Sequence, residues 1–207
     1  MATLAVLSIG GLSACQTKVG LAGAVNSHHL TDSDLSGFVK HGAGPYTDQS
    51  SGSKVLPKVY ALENWLDLRL FEAAATKHGG APTEAELSAA TKAVLGTHTR
   101  ADFVKVYSNL GYTDRFADVI IAQSATLVVL VERLAQVSPA DAISVLQSGQ
   151  AGSSLLKAVN ATKAKVVVSK RYGTWDPSHL AISSEPLSGL PGFVEHGGTS
   201  SSPASAP

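Results

Sequence analysis

Cysteine is almost missing from these 207 residues: Cys15 stands alone, so no disulfide can form within the chain and stability has to come from a packed core. Charge is sparse too. Only 15% of residues are charged, 16 basic ones are dispersed among 16 acidic ones, and the formal net charge is +0. Binding to nucleic acid phosphates needs clustered Lys and Arg, so the charge balance argues against a nucleic acid partner. There is no apolar run of the ~20 residues that a membrane-spanning helix requires. The most apolar helical stretch, between Asp118 and Glu132, is broken by Gln123, Ser124 and Thr126. No internal repeat is visible.

Motifs that carry chemistry are equally scarce. There is no Gly-x-Ser-x-Gly elbow to present a nucleophile, and Gly152-Ser153-Ser154 reads as a helix start. No Gly-x-x-x-x-Gly-Lys loop is present to cradle a phosphate. His28 and His29 with Asp32 and Asp34 offer imidazole and carboxylate, but no third spaced His or Cys joins them, so a solvated turn is expected and not a metal site. Glu63 and Asp67, one helical turn apart, read as a solvated edge beside Arg69 before they read as an acid–base pair. The expectation is a protein that is not an enzyme and uses no cofactor or metal.

What the sequence does have is a dominant helix over Val55–His78. Val55, Val59, Leu62, Leu66, Leu70 and Ala74 recur three or four apart, and Trp65, Leu68 and Phe71 widen the stripe. A helix apolar around most of its circumference is buried by neighbours on several sides. Lys58, Glu63, Asp67, Arg69 and Glu72 are left for a narrow polar edge. Pro57 suits the first turn, and Lys77 and His78 before Gly79-Gly80 suit the last.

The remaining elements follow from caps and turns. A strand is expected over residues 16–26, a turn over Asn26 to His29, and a helix from the Thr31 cap to about Lys40, followed by a loop over Tyr46 to Ser53. Thr83 with Glu86 and Thr99 with Asp102 are capping signals for two helices ending near Gly96 and Gly111. Asp114 to Gln136 is a second long helix, which should pack on the first. Ser138-Pro139 caps a short one, and Ser154 to Ala164 forms another. Val166-Val167-Val168 is the strongest strand signal, and the strand before Asn26 is its best partner, because a lone strand must pair somewhere. The fold class expected is therefore mainly α, a multi-helix bundle with a small β pairing between N-terminal and C-terminal strands.

Leu4 to Leu12 followed by Leu12-Ser13-Ala14-Cys15 resembles a bacterial lipobox, although Met1-Ala2-Thr3 lacks the usual positive charge. Further on, the short strand, the turn, the Thr31 helix start and the long helix running through Ala73-Ala74-Ala75-Thr76-Lys77-His78-Gly79 precede Thr83-Glu84-Ala85-Glu86. This order resembles the N-terminal chaperone module of SurA and related parvulin-type foldases. Arg171-Tyr172-Gly173-Thr174-Trp175-Asp176 is similar to actinobacterial lipoproteins of that group. The resemblance implies three regions: a lipoprotein-type signal segment over 1–15, a SurA N-terminal-like helical domain over 16–183 and a disordered Ser/Gly/Pro-rich tail over 184–207.

It also implies a protein anchored through a lipid on Cys15 at the extracytoplasmic face of the cell membrane, binding unfolded or secreted polypeptides. The candidate client groove is lined by Trp65, Phe71, Tyr107, Tyr172 and Trp175, although Trp175 beside Pro177 suits a core plug better. The alternatives are an envelope lipoprotein with one specific partner, or a prolyl isomerase relative. Relatives with isomerase activity carry a further domain of about a hundred residues. Here the stretch from Gln136 to Ala164 holds only two short helices, so that activity is not expected.

Overall fold

A computed structural model describes residues 20–47 and 54–183. Cys15, the start of the expected N-terminal strand and the tail from 184 lie outside the described residues. The long apolar helix runs over Pro57–Lys77 (α2), with proline in its first turn. Ala61, Leu62, Leu66 and Ala74 on it are completely buried. Its main neighbour is α5, Asp114–Ala135, as the two apolar stripes require. Between them come α3, Glu84–Leu95, and α4, Arg100–Asn109; after them come α6, Pro139–Gln147, and α7, Gly152–Ala161. The protein is mainly α with small antiparallel strand pairings.

The expected pairing between chain ends is formed. β1 (Leu21–Val25) lies antiparallel to β5 (Val166–Val168), with Gly23 opposite Val168 and Val25 opposite Val166. The small residues of β1 allow it to lie directly on α2: a Cβ on Gly23 would sit 2.8 Å from Leu62 Cδ1. One apolar cluster surrounds α2 and takes in Leu35, Phe38, Tyr112, Phe116 and Ile182. A second, built on Ala90, Val128, Val129 and Ala142, joins α3, α5 and α6.

Several local expectations are corrected. The turn is confined to Asn26 and Ser27, with Asn26 at φ +53°, and His28–Thr31 form β2 on the free side of β1. Three of the four β2 side chains are exposed, so no alternation signalled a strand. The helix after Thr31 (α1) stops at Ser36, where Gly37 caps it. Val39 instead makes an isolated bridge to Tyr112. Within the expected loop, Tyr46–Thr47 (β3) pair with Lys54–Val55 (β4). The helix placed at Ser154 to Ala164 begins and ends earlier because Thr162 caps it and Lys163 takes φ +55°. Thr174–Asp176 (β6) and Ala181–Ser183 (β7) form a hairpin too short to register as periodicity.

Candidate functional site

The face of α2 turned away from the core carries Arg69, Glu72, Ala73 and Thr76, at the three- and four-residue spacing that puts side chains on one side of a helix. Arg69 Nη1 donates to both oxygens of Glu72, at 3.0 and 2.8 Å, and its guanidinium lies 5.5 Å from the Trp65 ring centroid. Thr76 Oγ1 donates to the Glu72 carbonyl. These residues floor a cavity of about 610 Å³, with Asn26, Ser27 and His28 of the β1–β2 turn on one side and Ala81, Pro82 and Leu87 on the other.

Glu72, Leu87 and Thr126 also border a second cavity of about 290 Å³ between α3 and α5, so the two form one trough. The second half is apolar, with Leu68, Leu95, Ile121, Ala122 and Ala125. It ends at Arg100, whose Nε and Nη2 donate to Asp118 at 2.6 and 2.8 Å. Arg69 and Arg100 are thus each matched by a carboxylate, while Lys77 bonds the Ala161 carbonyl.

Arg133 of α5 sets the position of the α3 wall. Its Nη1 donates to the carbonyls of Ala75 (2.6 Å) and Gly80 (2.7 Å), and its Nη2 to Glu86 at 2.8 Å. Glu86 in turn accepts the Thr83 backbone N–H and hydroxyl, completing the capping box of α3. The Thr83 N–H and then the Arg133 guanidinium hold its carboxyl down to about 2. One buried guanidinium therefore ties the end of α2, the α2–α3 loop and α3 together.

None of the five aromatic residues expected to line a groove borders this trough. Trp65 and Phe71 are 5% and 6% exposed, within the core around α2. Tyr107 belongs to an aromatic cluster, 6.1 Å from Tyr112 and 5.6 Å from Phe116, and burial pushes its hydroxyl up. Tyr172 donates to Asp32, which also accepts from Arg171. Trp175 packs against the core and borders a crevice of about 60 Å³ beside Leu70 and Pro177, as a core plug would. The residues that do form the trough are mostly small, polar or aliphatic, or paired ions, and come from α2, α3, α4, α5 and the turns beside them. The polar spacing on α2 was the only sequence signal for them.

The polar groups weighed for chemistry also find places. His28 and His29 are exposed, Asp32 is engaged by Arg171 and Tyr172, and no group of three metal-ligating side chains occurs among the described residues. Asp176, Ser178 and His179 come together, but the same His179 nitrogen faces both partners while Asp176 also accepts the Ser178 N–H. That arrangement closes a turn. Glu63 and Asp67 are not a solvated edge: both are half-buried, and Glu63 Oε1 accepts the Ile182 N–H of β7 at 2.7 Å. Burial, reinforced by Glu63, pushes Asp67 up to about 7.

No described helix is long and apolar enough to cross a membrane. The fold and the trough define a mainly α protein with a surface channel across its central helix. No family model, curated protein or solved structure matches the chain.

Proposed function

We propose that this chain is a chaperone-like protein of the SurA N-terminal kind, anchored through a lipid on Cys15 at the extracytoplasmic face of the membrane. It binds unfolded or apolar polypeptide segments without catalysis. The observation that carries the reading is the trough across α2, with its apolar half between α3 and α5 and its polar half under the β1–β2 turn. Aliphatic side chains of a client enter the apolar half, where burial is favourable whatever their order, because the hydrophobic effect is non-directional. The client backbone lies along the polar half, where Ser27, His28 and Thr76 offer hydrogen-bonding groups. Arg69 and Arg100 are neutralised by Glu72 and Asp118, and Lys77, which also lines the polar half, bonds the Ala161 carbonyl.

Purified protein lacking residues 1–15 should slow aggregation of an unfolded client at several-fold molar excess, and no slowing at that excess would refute the reading. Incorporation of a labelled fatty acid in the producing cell, lost in Cys15→Ser, tests the anchor separately.

A further inference from the structure

The β6–β7 hairpin reaches α2 at Glu63, and its Trp175, Pro177 and Leu180 border a crevice with Leu70, so it spans the turn of α2 that carries Asp67. Ile182 of β7 buries its side chain in the core, at 7% exposure, while its N–H is bound by Glu63. One turn further along, Asp67 Oδ1 is buried and has no hydrogen-bond partner among the described residues. The hairpin is slight, with three residues in each strand. Its docking therefore depends on few contacts, and two of the groups beneath it can carry like charge.

We propose that the 174–183 hairpin is a proton-controlled strap, docked on α2 while the Glu63–Asp67 pair holds a proton and loosened when both carboxylates are ionised.

Among the described residues, the other charges of the elements around the strap are engaged or exposed. β7 and β1 contain no titratable residue. On β6, Asp176 is held by Ser178 and His179. On α1, Asp32 is paired with Arg171, and Asp34 with Arg115 at 4.0 Å. The charged residue of α7, Lys157, is exposed. On α5, Asp118 is paired with Arg100 and Arg133 with Glu86; Asp114 is exposed, and Glu132 feels Glu86 and Arg133. On α2 itself, Lys58 bonds Ser36, Arg69 pairs with Glu72, and Lys77 bonds Ala161. Glu63 is the charge that acts on Asp67.

A proton on Asp67 removes the repulsion from Glu63 and the cost of a buried anion, leaving Glu63 to hold the Ile182 N–H. When the strap lifts, Asp67 reaches water and releases its proton near the ordinary aspartate value of about 4. The docked state holds that proton up to about 7. Docking is therefore favoured at low pH, weakens as pH rises from about 4 through 7, and levels off above.

Hydrogen exchange of the Ile182 amide in the full chain, without any client and corrected for the intrinsic pH dependence of exchange, tests the strap. Linkage with these two values gives a fall in protection of about tenfold between pH 6 and pH 8. Asp67→Asn, which cannot ionise, should remove that fall. Glu63→Gln keeps an acceptor for Ile182 but takes away the repulsion, so the fall should move to lower pH. Equal falls in the native protein and in whichever variant folds would overturn the proposal, as would protection in the native protein that does not change with pH. Client binding enters neither readout, so the outcome is separate from that of the chaperone reading.

Discussion

At the scale of single residues, two buried charges have opposite consequences. Arg133 is a largely buried cation that binds two carbonyls and a carboxylate. Arg133→Ala leaves the Ala75 and Gly80 carbonyls without that donor and frees the α3 wall, and should cost about 2–3 kcal/mol in urea denaturation. Asp67 is a half-buried acid whose Oδ1 is buried and has no hydrogen-bond partner among the described residues. The folded protein holds its proton up to about 7 and the unfolded chain releases it near 4, so between these values the native state binds more protons. Global stability should therefore fall as pH rises from about 4 to 7 and flatten above. Asp67→Asn should remove most of that slope in denaturation midpoints measured at pH 5 and 7.

At the scale of elements, caps and glycines decide what stays in place. Thr83 and Thr99 each form both halves of a capping box, and Thr→Ala at either should lower stability by about 1 kcal/mol in thermal or urea unfolding. Gly173 sits at φ +125°, and a Cβ there would lie 2.6 Å from the Ser183 carbonyl oxygen and 2.7 Å from Ile182 Cγ2. Gly173→Ala should pry β6 from β7, expose Trp175 and shift its fluorescence to the red, while circular dichroism keeps the helical signal. The long helices were legible because their apolar stripes run for many turns, as at Leu62, Leu66 and Leu70. β2 and the β6–β7 hairpin were not. Each is three or four residues long, and pairing partners supplied by other parts of the chain define them.

At the scale of the whole molecule, the trough depends on how three helices and one hairpin turn are set around α2. Ala122 is exposed and borders its apolar half, and Thr76 is exposed on its polar floor. Ala122→Arg and Thr76→Trp should leave the unfolding transition within about 0.5 kcal/mol, as surface changes do. Both should reduce suppression of client aggregation at least several-fold. Unchanged suppression by both variants would place the client surface elsewhere.

By itself the sequence determined the two long helices and their packing, the Thr83, Thr99 and Ser138 caps and the need for the valine strand to find β1, because these follow from periodicity and from unsatisfied backbone groups. Only the tertiary structure decided which surfaces stay open. Aromatic size suggested that Trp65 and Phe71 would line a groove, yet burial of large apolar side chains is what stabilises the core, and they lie inside it. Glu63 and Asp67 read as solvated because nothing in their own helix covers them. At Glu63, a hairpin more than a hundred residues further along the chain does.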